Sequence, residues 1–170
     1  SLVSVSIPNT VENIGMYAFY ACSSLKRMEL PNGVETIENS AFSVCTSLAN
    51  VTMGNTVTTI GKSAFYGCPI ASITLSEALE SIGNEAFSNC DKLESIEIPN
   101  QVTSIGEKTF YRCYSLDSVM LSENLEEMGV QAFHECTSLT GVSIPASLQE
   151  IPNYAFAQCS KLESIGLQEG

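Results

Sequence analysis

The sequence predicts a solenoid: a stack of coils of about 23 residues, each contributing a short strand that pairs in parallel with its counterpart in the next coil. Three observations predict it. All seven phenylalanines (19, 42, 65, 87, 110, 133 and 156) sit three residues before the seven cysteines (22, 45, 68, 90, 113, 136 and 159), with successive gaps of 23, 23, 22, 23, 23 and 23. Around each pair the apolar residues recur in one order, Leu-x-x-Val-x-Ile-Pro-x-x-Val-x-x-Ile-Gly-x-x-Ala-Phe-x-x-Cys-x-x counted from Leu2. No such unit can bury its apolar side alone, whereas stacking aligns those columns into one continuous core.

The elements of a unit follow in order. Leu93, Ile96 and Ile98 end in a two-residue alternation, the mark of a short half-buried strand. Pro8, Pro31, Pro99 and Pro145 stop that strand at its end, where no ladder hydrogen bond is lost. Val102 and Ile105 then point inward from a second extended or turning segment. Gly83, with Gly15, Gly61, Gly106 and Gly129 at the same position, implies either positive φ or a close backbone approach, although Glu38 and Pro152 replace it in two units. Ala86, Phe87, Cys90 and Leu93 have the spacing of one face of a helical turn or two, predicting short helices or turns on the side opposite the strands. The stack is therefore expected to curve with the strands on its concave side. The chain makes seven full units and a partial eighth ending at Leu167, forming one domain over residues 1–170. The single 22-residue step follows Cys68, where Pro69-Ile70 replaces two residues and Leu, so the stack should bend there. Strand sequence at both ends, without polar caps, leads us to expect a fragment of a longer protein whose exposed ends could self-associate.

Composition narrows the function classes. With 44 % hydrophobic residues the chain is not an intrinsically disordered one. A net charge of −12 argues against nucleic-acid binding, which needs clustered cations. No stretch approaches the roughly 20 apolar residues of a membrane span, so membrane insertion is not expected, and Ser1-Leu2-Val3-Ser4 does not start a signal peptide.

The repeated unit, with instances such as Ile7-Pro8, Ile14-Gly15 and Ala18-Phe19-Tyr20-Ala21-Cys22, resembles the BspA-like, or Treponema-type, leucine-rich repeat. Departures are small: Thr109 for Ala, and Gly54, Ser76 and Ser122 for Pro. The resemblance covers Leu2 to Leu167 and implies a right-handed, curved leucine-rich-repeat solenoid. It also implies a secreted or surface-exposed protein, several of whose relatives are adhesins, and a repeat without catalytic residues or cofactor.

Four groups of side chains invite a chemical role. The cysteines could form disulfides or hold zinc, but one thiol per coil neither pairs off nor converges, so buried, reduced thiols packed beneath Phe are expected. His134, beside Glu135 and Cys136, hints at a triad; Tyr20, Tyr66 and Tyr111 occupy its column, which suggests a solvent-facing slot and Cys136 pointing elsewhere. Those tyrosines would either anchor a partner or lie as lids over neighbouring turns. Glu12, Glu35, Glu80 and Glu126 form a carboxylate column, expected to be a solvated acidic edge rather than a calcium or glycosidase site. Asn50-Val51-Thr52 fits an N-glycosylation sequon on the strand face. No metal site is expected.

The outward strand positions are the best interaction candidates. Most carry small hydroxyl residues, but Lys26, Arg27 and Glu29 stand near one end, and Glu94, Glu97, Asp117 and Met120 further along. Eight strands at about 4.8 Å give a face on the order of 34 Å long. The expected function is a non-enzymatic interaction module binding a protein or glycan through these seven residues. The alternative is a spacer that projects other domains from a cell surface.

Overall fold

The computed structural model describes residues 2–167. Parallel strands form two ladders along the stack. One consists of the second extended segments: β1 (Asn13–Ile14), β3 (Thr36–Ile37), β5 (Thr59–Ile60), β6 (Ser81–Ile82), β8 (Ser104–Ile105) and β10 (Glu127–Met128), paired in that order. Its register places Ile14, Ile37, Ile60, Ile82, Ile105 and Met128 directly over one another, all buried. The other contains the first strands: β2 (Arg27–Glu29) with β4 (Asn50–Thr52), and, separately, β7 (Ser95–Glu97), β9 (Ser118–Met120), β11 (Gly141–Ile144) and β12 (Ser164–Leu167).

This second ladder is shorter than the eight strands the sequence implied. Val3–Ile7 form no strand, and residues 71–74 make only an isolated bridge, Asn50 with Ser72. The gap follows the 22-residue step. Leu25, Leu48, Leu93, Leu116, Leu139 and Leu162 each donate a backbone hydrogen bond to the Cys carbonyl three residues back. Ile70 stands only two residues from Cys68, so that turn cannot close, and the strand that follows keeps its register, with Ser72 opposite Asn50, but makes only that one bridge. Ile70, Ile73 and Leu75 still reach the core, and β5–β6 pairing continues across the same step. The deletion opens one ladder and leaves the other intact.

The side opposite the strands contains turns and no helix among the described residues, which corrects half of the expectation there. Two residues per unit, four apart, have positive φ: Tyr17 and Ala21, Ser40 and Val44, and so on to Tyr154 and Gln158. A left-handed residue every fourth position prevents an α-helix. It instead lets alternate amides point along the stack. Tyr17, Phe19 and Ala21 donate to Asn39, Ala41 and Ser43 of the next coil, while Ala18, Tyr20 and Cys22 donate back three residues within their own. The amides of this segment are thereby all bonded, half of them to the next coil and half within their own.

The glycines before these turns take the close-approach alternative, not positive φ. A Cβ on Gly61, Gly83, Gly106 or Gly129 would lie within 3 Å of backbone atoms of the preceding coil, whereas at Gly15 it would meet nothing within 4 Å. At one exception to the glycine rule, Glu38, the carboxylate accepts the Met16 amide at 3.1 Å.

Between the ladders and the turns lies the core. The seven Phe rings form one stack, with centroids 5.1–5.6 Å apart and planes within 12° of parallel. Beside them the thiols do more than fill space. Cys45, Cys68, Cys90, Cys113, Cys136 and Cys159 each donate to the Phe carbonyl of the preceding coil at 3.0–3.2 Å. All seven cysteines are unpaired with one another, and five are buried.

Candidate functional site

Strand alternation decides which side chains face outward. In β2, β4 and β7 the middle residues Met28, Val51 and Ile96 are buried and their neighbours exposed. Lys26, Arg27, Glu29, Glu94, Glu97, Asp117 and Met120 are accordingly all exposed. They do not form one cluster. Arg27 Nη1 lies 4.0 Å from Glu29 Oε1, a solvated pair that contributes little. Glu29 borders a recess of ≈ 460 Å³ with Ser6, Pro31 and Thr52. On the far side of the ladder gap, Glu97 and Met120 meet in a groove of ≈ 500 Å³ whose lining includes Glu77, Asn100, Val119, Glu123 and Ser143. Lys26, Arg27, Glu94 and Asp117 lie outside that lining.

The groove's additional carboxylates, Glu77 and Glu123, were overlooked in the sequence, yet a signal was present. The residue after the strand-ending Pro column reads Asn9, Asn32, Asn55, Glu77, Asn100, Glu123 and Ala146. Asn in this column ties coils together: Asn32 Oδ1 accepts the Asn55 amide at 2.9 Å, and Asn100 Oδ1 the Glu123 amide at 3.0 Å. Glu at two places breaks a structural pattern and leaves a charge facing outward.

On the turn side, His134 is buried at 9 % exposure, not the solvent-facing residue its column suggested. Its ring stacks on Tyr111, 5.4 Å between centroids and 10° between planes, so Tyr111 acts as a lid over the next turn. Glu135 collects the surrounding donors: Arg112 Nε at 3.1 Å, the Tyr111 hydroxyl at 3.4 Å and the Tyr114 hydroxyl at 3.5 Å, with His134 Nε2 also at 3.5 Å. His134 thus meets Glu135 and further polar groups, but Cys136 Sγ donates into the core, to Phe110 O. The three neighbours make no nucleophile–base pair. Burial, the largest influence, pushes the Cys90 thiol up to about 12 and Cys113 well above its usual value, which suppresses the thiolate that nucleophilic attack requires.

The remaining candidates stay dispersed. Glu12, Glu35, Glu80 and Glu126 are exposed, and Asn50 of the sequon lies on β4 facing solvent. Among the described residues no three His, Cys, Asp or Glu side chains converge as metal ligands.

Comparison with known proteins agrees with this architecture. The profile of the BspA type Leucine rich repeat region matches in six copies, over residues 1–94 and 80–170. A leucine-rich repeat protein from Bacteroides ovatus is 36 % identical with a TM-score of 0.86, aligning over 91 % of this chain and 40 % of that one. The T. pallidum leucine-rich repeat protein is 31 % identical with a TM-score of 0.67, over 92 % and 63 %. A leucine rich cell surface protein from Faecalibacterium prausnitzii, 22 % identical with a TM-score of 0.51 over 94 % and 70 %, shares the fold. No curated protein matches the chain. The chain spans 40 % and 63 % of the lengths of the first two relatives. On the repeat profile and these two relatives, the chain belongs to the BspA-type leucine-rich-repeat family.

Proposed function

We propose that the chain is a non-enzymatic interaction module of a secreted or surface-displayed protein, binding a protein or glycan through its strand face. One observation carries the reading: a face otherwise built mostly of small residues holds exposed charge, with the cations Lys26 and Arg27 beside Glu29 at one end and the carboxylates Glu94, Glu97 and Asp117 further along. Complementary potentials of this kind orient a partner and set its register. The family supports the extracellular placement, since its members are commonly secreted or surface-exposed; the F. prausnitzii neighbour is itself named a cell surface protein. The non-enzymatic reading draws on the family and on thiols buried away from His134. A spacer role is the competing reading, favoured by the small side chains at Ala49, Ala71, Ser72 and Gly141.

The test is binding to panels of extracellular-matrix proteins and glycans, with the native chain beside a Lys26→Glu/Arg27→Glu/Glu97→Lys variant of matching circular dichroism. Selective binding lost in the variant supports the strand face. Equal binding by both moves recognition elsewhere, and silence from both overturns the ligand-binding reading in favour of the spacer.

A further inference from the structure

We propose that the groove over the paired strands β7 and β9 receives a basic segment of a partner protein, whose lysine side chains lie along Met120 and Val119 and deliver their ammonium groups to Glu97, Glu77 and Glu123. The inference rests on the interaction-module reading and names the chemistry of its partner. The charged residues lining the groove are those three carboxylates; it has no lysine, arginine or histidine. Among the described residues none of the three makes a salt bridge, so their charge is uncompensated within the chain.

The groove also has an apolar surface where the fold does not need one. Met120 occupies an outward column that otherwise reads Ser6, Glu29, Thr52, Thr74, Glu97, Ser143 and Gly166, and it is 60 % exposed. A flexible thioether beside half-buried Val119 suits the methylene stem of lysine, whose charged head needs polar surroundings. A smaller recess shares Glu77, Glu97 and Pro99 with the groove and reaches Thr74, beside the open part of the ladder. The acidic channel therefore extends toward unpaired strand edge.

The spacing favours a chain of cations over a single metal ion. Glu77, Glu97 and Glu123 belong to three successive coils, so Glu77 and Glu123 are separated by about 10 Å along the stack at ~4.8 Å per step. Calcium draws its oxygens to about 2.3–2.6 Å. An extended Lys-x-Lys segment repeats its charge every ~7 Å and can follow the carboxylates along the stack.

The experiment uses the isotope-labelled 170-residue chain and an acetylated, amidated heptapeptide of alternating Ser and Lys, with a Ser/Gly heptapeptide as the neutral probe. The Lys peptide is expected to shift the amide signals of Glu77, Glu97, Val119, Met120 and Ser143, and the neutral peptide none of them. Glu97→Gln/Glu123→Gln should weaken binding at least tenfold, and Met120→Ser about threefold at unchanged charge. Glu126→Gln/Glu150→Gln, which neutralises two carboxylates of another acidic recess, should change it less than twofold. Equal weakening by the two double variants, or shifts scattered over the acidic surface, would reduce the attraction to net charge and overturn the proposal. If a panel ligand needs the strand face while the Lys peptide does not bind, the basic segment falls and the interaction module stands. If the panel is silent while the peptide occupies the groove, the basic segment stands as the ligand of the strand face and the matrix proteins and glycans of the panel are excluded.

Discussion

Glycine at one repeat position should matter only where another coil lies beneath it. A Cβ added at Gly129 would stand 2.3 Å from Gly106 C and Glu107 N, against 3.4 Å or more for ordinary contact, so the coils must part by about 3.4 − 2.3 = 1.1 Å. That opening would stretch the hydrogen bond from Gly129 N to Ile105 O, now 2.9 Å, beyond bonding distance. Overpacking of this size costs about 1–3 kcal/mol and the lost bond about 1 more, so Gly129→Ala should destabilise by about 2–4 kcal/mol. In a chain this long that lowers the melting temperature by roughly 5–15 °C. Gly15→Ala changes the same motif letter where a Cβ meets nothing within 4 Å, and should be neutral or stabilising by up to about 1 kcal/mol. Urea and thermal denaturation of both variants, followed by circular dichroism, read the difference. Stabilities within about 0.5 kcal/mol of each other would refute the account of close coil contact.

Two further predictions concern the turns and the thiols. Val44 holds φ of 61°, a conformation unfavourable for a β-branched residue, so Val44→Asn should raise stability by about 1 kcal/mol in urea titrations; a loss would mean that its side-chain packing outweighs the strain. In native protein a thiol reagent should reach half-buried Cys22 and Cys159 and leave the five buried cysteines until unfolding, and more than two rapidly reacting thiols would contradict the burial. Because Cys90 is raised to about 12 from 9.0, the unfolded state sheds its protons first as pH climbs. The contribution of this thiol to stability is thus full below pH 9 and falls above it, by up to ~1.4 kcal/mol per pH unit. Urea midpoints between pH 8 and 10.5 should show that decline, and it should lessen in Cys90→Ala.

The lattice of Phe and Cys determined the coil, its number of repeats and its core, because a solenoid needs every unit to bury the same columns. Strand alternation likewise made the outward residues legible: Glu97 and Met120 face solvent because Ile96 and Val119 beside them face in. What the sequence could not decide were consequences of contact between coils. Ala86, Phe87 and Cys90 have helical spacing, yet the amides of this segment bond alternately within and between coils, and only the neighbouring coil reveals that competition. His134 shares a column with an exposed Tyr20 but is buried, since Tyr111 of the coil before stacks on it. Glu77 stands 20 residues before Glu97 and Glu123 stands 26 after it, and the three became part of one groove only when the coils were stacked. A repeat specifies its own shape locally; which side chains share a surface is set by the step from one coil to the next, including the one step that is a residue short.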